Sequence, residues 1–269
     1  MTEKVTIAAL QQMKRDGKKS IGIVAWDYQI ARIADRAGVD FISVGDSVGV
    51  NLWGHDDPLQ VTMDEMLIVC KAVRRGTTRA LVSCDLPYGP VQQSPKAAIA
   101  AAEALMKDGG ADMIKVDAAA DYPDAVRALV EAGVPVFAQF GLTPQTAAKH
   151  GLPYSAQNSP EAQATAEAAA KLVEEAKMLE AAGAVALDFT NSGPVAGAAV
   201  VKAVKIPVIG GFGGGPWLDG RVRLVHTAIG YGEKWLDSKT DTYGNTAKLA
   251  LEAFTALIAD ARAGKQIKG

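Results

Sequence analysis

The strongest constraint on this chain is an alternation. Short β-branched runs, each followed by a longer stretch of helical spacing, repeat from about residue 20 to the C-terminus. The runs cover residues 21–26, 41–46, 80–85, 113–117, 135–140, 184–190 and 207–212, with a weaker eighth near 221–225. Between them apolar positions recur three or four apart, as in Ile30, Ile33 and Ala34 or Leu172, Ala176 and Leu179, the period of a helix with one buried face. A glycine closes several of these helices just before the next strand: Gly38, Gly133 and Gly183 stand where a left-handed cap is expected. Strands that alternate with helices must pair in parallel, because each crossover returns to the same end of the sheet. Seven or eight such units in 269 residues, without a break in composition, predict an α/β chain folded as a single (β/α)8 TIM barrel, one domain over 1–269. An open doubly wound sheet would carry a glycine-rich turn after its first strand; here that strand ends Ala25-Trp26-Asp27-Tyr28.

Composition narrows the function classes. With 28 Lys and Arg against 30 Asp and Glu, no basic stripe is available to displace counterions from a nucleic acid. Apolar residues at 49% and charged residues at 22% are globular values, not those of a disordered chain. No window approaches the ~18 uninterrupted apolar residues of a membrane helix, and the alanine-rich runs near 97–105 and 162–184 are interrupted by Glu and Lys. The N-terminal residues lack the cationic and apolar regions of a signal peptide. Cys70 and Cys84 are the only cysteines, so no disulfide framework is expected and a reducing, cytoplasmic setting is. The connection 141–160 is the one long loop, and on the strand-end face long loops are usually functional.

In a barrel, chemistry sits at the C-terminal ends of the strands. The second, third and fourth strands end at Asp46, Asp85 and Asp117. Each alone reads more readily as a cap on the following turn than as a ligand. Three on consecutive strands place mutually repelling carboxylates around one space, and a hard divalent cation with oxygen ligands, Mg²⁺, resolves the conflict. Lys115 lies two residues before Asp117 and faces the same way, either over the pocket or in a structural ion pair with Asp117 or Asp85. A 2-oxo acid suits such a centre, because a metal-stabilised enolate can form from it. Lys115 would then hold the substrate carboxylate or the enolate oxygen.

Six ordered segments sharpen this reading: Val44-Gly45-Asp46-Ser47, Gly54-His55-Asp56, Asp85-Leu86-Pro87-Tyr88-Gly89, Gly109-Gly110-Ala111-Asp112, Gly141-Leu142-Thr143-Pro144-Gln145 and Asp219-Gly220-Arg221-Val222. On these the chain resembles the ketopantoate (3-methyl-2-oxobutanoate) hydroxymethyltransferase family, of the phosphoenolpyruvate mutase and isocitrate lyase superfamily. The resemblance implies a (β/α)8 barrel, Mg²⁺, and one-carbon transfer from 5,10-methylenetetrahydrofolate to 3-methyl-2-oxobutanoate on the way to pantothenate. It also implies a homo-oligomer. By position it implies Asp46, Asp85 and Asp117 as metal ligands, with Asp117 one methylene shorter than the family's Glu and so farther away or bound through water. Ser47, Asp85 and Lys115 would contact the 2-oxo acid.

Two departures are chemically loaded. The family's general base is a Glu six residues after Ala182-Gly183-Ala184, where this chain has Thr190, too weakly acidic to act as a base at neutral pH. Asp188, two residues earlier on the same face, either takes over as the catalytic base or is a buried carboxylate paired with a donor. Gln139 replaces the family's His and removes a titratable group, while remaining able, with Thr190, to hydrogen-bond substrate.

Other candidates read as structural. The histidines His55, His150 and His226 have no zinc spacing. Cys84 faces away from Asp85 into packing, and the glycine-rich 209–216 segment reads as a tight turn. The leading expectation is therefore Mg²⁺-dependent hydroxymethyl transfer. A 2-oxo-acid aldolase, lyase or decarboxylase without folate is the alternative, since breaking a C–C bond generates the enolate without the missing carboxylate. A barrel that binds without turnover is the third.

Overall fold

Eight parallel strands close on one another in sequence order: β1 Ser20–Val24, β2 Phe41–Val44, β3 Leu81–Asp85, β4 Met113–Val116, β5 Val136–Gly141, β6 Ala186–Thr190, β7 Val208–Gly210 and β8 Gly220–Leu224. The computed structural model describes residues 3–157 and 159–269; Met1, Thr2 and Asn158, the last within the 141–160 connection, lie outside the described residues. The expected barrel and its parallel order are present, and the weak eighth run is a full strand. β2 and β4 stop at Val44 and Val116, so Asp46 and Asp117 sit just past the strands, where side chains lean into the mouth.

The helices are α1 Ile7–Arg15, α2 Tyr28–Ala37, α3 Met63–Gly76, α4 Pro90–Gln93, α5 Pro95–Lys107, α6 Pro123–Glu131, α7 Ala169–Ala181, α8 Pro194–Ala203, α9 Val225–Ile229 and α10 Thr246–Arg262. Their starts follow local chemistry. Asp27 accepts from the Gln29 and Ile30 N–H groups, and Thr62 with Glu65 forms a reciprocal capping box, supplying acceptors that a first helical turn lacks. Gly38, Gly133 and Gly183 take φ of 91°, 81° and 95°, as their place after helices predicted. Contacts divide the chain into Met1–Val222, which holds seven strands and the start of β8, and Arg223–Gly269, which holds α9 and α10.

Below the mouth the barrel is plugged by aromatic rings. Phe41 and Phe137, both fully buried, meet edge-on at 6.2 Å. Phe41 reaches the axis because β1 has Gly22, where a Cβ would lie 2.3 Å from the ring. This apolar floor lowers the dielectric beneath the polar layer, which magnifies the interactions in it.

Candidate active site

The polar layer rests on that floor. Lys115, on β4 and 7% exposed, holds its Nζ 3.0 Å from Asp85 Oδ2 of β3 and 3.6 Å from Asp188 Oδ2 of β6. β3 and β4 bring Asp85 directly beside Lys115 in register, while Asp188 reaches it from β6, two strands round the barrel. Of the partners expected for Lys115, Asp85 is found and Asp117 is replaced by Asp188. Above lies Asp46, whose backbone N–H faces Asp85 Oδ2 at 3.4 Å. Asp46, Asp85, Asp117, Lys115 and Asp188 are all buried.

Gln145 ties this cluster together, and no site role was expected of it. Its side-chain amide donates to Asp46 Oδ2 at 3.0 Å and its backbone N–H to Asp117 Oδ2 at 3.2 Å. The chain reaches that point through Gly141, whose φ is 86° and where a Cβ would strike the Thr190 carbonyl oxygen at 2.6 Å. Thr143 and Thr146 then hydrogen-bond each other at 2.9 Å and fix the turn. Tyr154, farther along the same loop, places a buried hydroxyl beside Asn51 and Ser47 without a hydrogen bond of normal geometry to either. Ser47 thus lines the mouth.

Charge in the cluster is unbalanced: four carboxylates surround one ammonium. Burial pushes Asp85 up to about 7, with Lys115 opposing and Asp46 adding to the rise. Burial and the proximity of Asp46 push Asp117 up to about 8. Asp46 and Asp188 are also raised by burial, against the Gln145 amide for the first and Lys115 for the second. For Lys115 burial favours the neutral amine, but Asp85, Asp188 and Asp46 outweigh it and hold the ammonium charged well above the usual lysine range. Asp85 Oδ1, Asp117 Oδ1 and Asp188 Oδ1 are buried without hydrogen-bond partners.

A neutral pair occupies the adjoining wall. Gln139 of β5 donates from Nε2 to Thr190 Oγ1 of β6 at 2.9 Å. The two positions that depart from the resembled family therefore touch each other. The pair is buried and carries no charge.

The remaining candidates fall outside the cluster. Cys84 lies on the far side of β3 beside Cys70 of α3, and burial pushes its thiol well up; both thiols are free. In the glycine-rich turn Arg221 donates to the Gly210 and Gly214 carbonyls, which closes the turn on itself. No described helix is long and apolar enough to cross a membrane.

Can the acidic rim hold a divalent cation? No three His, Cys, Asp or Glu side chains among the described residues stand close enough to cage a metal by themselves. Mg²⁺ seldom asks for such a cage: one or two carboxylates with water and substrate oxygens complete its octahedron. Asp46 and Asp85, adjacent, ionisable and with an orphaned oxygen on Asp85, fit that demand.

A closed parallel barrel with acidic strand ends and a charged lysine in its mouth defines a (β/α)8-barrel enzyme built around buried carboxylates. Among solved structures the fold is similar to 2,3-dimethylmalate lyase, a PEP mutase/isocitrate lyase superfamily member, with TM-score 0.63 and 14% identity over 95% of this chain and 88% of that one. It is also similar to a phosphonopyruvate hydrolase in complex with oxalate and Mg²⁺, with TM-score 0.59 and 16% identity over 96% and 88%. The profile of ketopantoate hydroxymethyltransferase matches residues 4–266, and the chain belongs to that family. A 3-methyl-2-oxobutanoate hydroxymethyltransferase of Geobacter metallireducens is 36% identical over 98% of this chain and 97% of its own; one from a Cyanothece species is 40% identical over 86% of each. The protein is accordingly an enzyme, a transferase of the hydroxymethyl group in pantothenate biosynthesis that acts on a small 2-oxo acid.

Proposed function

We propose that this chain transfers a hydroxymethyl group from 5,10-methylenetetrahydrofolate to 3-methyl-2-oxobutanoate, with Mg²⁺ at Asp46 and Asp85 and with Asp117 engaged through water. The observation that carries the reading is the Lys115 ammonium, held between Asp85 and Asp188 in the mouth of the barrel. When bound, Mg²⁺ supplies a Lewis acid for the substrate's keto oxygen. The chain's own groups do the rest. Lys115 offers a fixed positive charge to the substrate's developing enolate oxygen, in a buried site where little water screens it. Ser47 and the Gln139 amide are the neutral donors for the carboxylate end, and the Thr190 hydroxyl, which accepts from Gln139, orients that amide.

Asp188 removes the proton from the substrate's third carbon. Thr190 is not basic enough, and Gln139 and Thr190 satisfy each other, which leaves Asp188 as the carboxylate on that side. Its buried Oδ1 has no partner, and burial raises its basicity. The test is proton exchange: with Mg²⁺ and 3-methyl-2-oxobutanoate in D₂O, the signal of the 3-proton decays. Asp188→Asn abolishes that decay while magnesium uptake, read by calorimetry, persists; an undiminished rate in the variant removes Asp188 from the mechanism. Tight magnesium binding with no exchange in the unaltered protein points instead to chemistry that makes the enolate by C–C cleavage.

Setting and assembly follow from the same reading. The free thiols of Cys70 and Cys84 support a cytoplasmic setting. Homo-oligomer formation is supported by the sequence of α10, a 17-residue helix in which Leu251, Phe254 and Ile258 recur three and four residues apart on one face. A helix this apolar is normally covered. Sedimentation is expected to show an assembly that Phe254→Asp dissociates; a monomer before substitution overturns it.

A further inference from the structure

A second concavity, of about 1110 Å³, runs along α2 from Tyr28 to Gly38, beside the C-terminal turn of α3 and the segment leading into β3. None of the carboxylate cluster lines it. Four arginines line it, Arg32 and Arg36 of α2, Arg75 of α3, and Arg79, in a chain whose net charge is −2.

The one acid in the lining, Asp35, is committed elsewhere. Its carboxylate accepts from the Thr78, Arg79 and Ala80 backbone N–H groups and from the Thr78 hydroxyl. Arg79 donates to the Val39 carbonyl at 2.7 Å and sits 3.8 Å from Asp40. Arg32 is held by the Tyr28 hydroxyl at 2.9 Å and lies 5.7 Å from its ring centre. Arg36 and Arg75 have no hydrogen-bond or ion-pair partner among the described residues. Arg74 makes the contrast: one residue from Arg75, it reaches Asp112 at 2.9 Å and the Thr77 carbonyl at 2.7 Å.

Complementing the helix macrodipole accounts for Arg36 and Arg75, each in the last turn of its helix. It accounts neither for Arg32, one turn before Arg36 where like charges repel, nor for the concavity they share. Guanidinium forks match phosphate oxygens in pairs. We propose that this groove binds a small molecule carrying a chain of two or more phosphates, gripped by Arg36 and Arg75 and flanked by Arg32 and Arg79. Tyr28 and the exposed Ile33 give an organic group on that chain an apolar edge to rest on.

Calorimetry on the full chain tests this, without added divalent cations because phosphate chains chelate them. The probes are inorganic tripolyphosphate and ATP. Unaltered protein is expected to bind tripolyphosphate with Kd below about 1 mM, and Arg36→Ala/Arg75→Ala to bind it at least about tenfold more weakly with turnover unchanged. Lys171→Ala/Lys177→Ala on α7, with the same change in charge, is expected to bind as the unaltered protein does. ATP binding more tightly than tripolyphosphate assigns Tyr28 and Ile33 to an organic group; equal affinities assign recognition to the phosphates alone. No uptake at millimolar concentrations, or an equal loss in the lysine variant, overturns the proposal.

Discussion

The two sides of the barrel mouth are built on opposite electrostatic plans. On the β2–β4 side three carboxylates and one ammonium crowd a buried space, with three of the cluster's oxygens, counting Asp188, unpartnered. On the β5–β6 side Gln139 and Thr190 close a neutral hydrogen bond. The first side is costly to bury and unfinished in isolation, the condition in which a cation or an anionic substrate binds with most effect. The second is satisfied and electrically silent, so it positions a ligand without exchanging protons with it. Asp188 stands at the junction, paired in register with Gln139 and 3.6 Å from Lys115.

On this division, removing charge on the first side is catastrophic for turnover. Lys115→Met keeps the length of the side chain and deletes the ammonium that Asp85 and Asp188 share. Turnover is expected to fall by about 10²–10³, read as product formed per enzyme under saturating magnesium. Near-normal turnover in this variant makes Lys115 a structural cation only.

A smaller effect is expected in stability against pH. Burial raises Asp85 to about 7 and Asp117 to about 8, whereas in the unfolded chain both titrate near ~4. Between those limits the folded protein binds more protons than the unfolded one, so stability falls as pH rises from about 4 to about 8. Metal-free protein is therefore expected to melt at a lower temperature at pH 8 than at pH 5, by about 2–4 °C for each kcal/mol lost. Saturating magnesium should flatten that slope by stabilising the ionised carboxylates. A melting temperature that climbs from pH 5 to pH 8 in the presence of a chelator contradicts the raised values.

The charged side was the more readable in sequence. Period-two alternation and the strand-to-helix rhythm put Asp46, Asp85, Asp117 and Lys115 at one end of adjacent strands; all four are buried there, and Lys115 pairs with Asp85. What escaped is what loops and distance supply. Gln145 reaches Asp46 from 99 positions away, and Tyr154 folds back over Ser47 from the same connection. Nothing in the local pattern distinguishes them from solvated loop residues, although the length of 141–160 marked the segment. Lys115 stands in register with Asp85, but its second partner, Asp188, lies two strands away on β6, a contact that strand period cannot specify. α1 precedes the first strand, and in sequence only its charged end at 14–19 reads as a helix terminus. Its cap is Thr6, accepting from the Ala9 N–H, a single short-range signal with no neighbouring strand to frame it.

The neutral side gives the smallest and most discriminating effect. Gln139 Nε2 and Thr190 Oγ1 are buried and bonded at 2.9 Å, so Thr190→Val strands the Gln139 amide and is expected to cost about 1–3 kcal/mol. Gln139→Leu strands only a hydroxyl that can rotate, and the cost is smaller. Replacing both removes the donor with its acceptor, so the double variant is expected to be less destabilised than the sum of the singles, with a coupling of about 0.5–1.5 kcal/mol from denaturant midpoints. In neither single variant nor the pair should the pH dependence of turnover move, because no titrating group has changed, whereas kcat/KM should drop as the orienting amide is lost. A shifted pH profile places a proton-transfer role on this wall and erases the distinction between the two sides; strict additivity means the 2.9 Å contact carries no energy of its own.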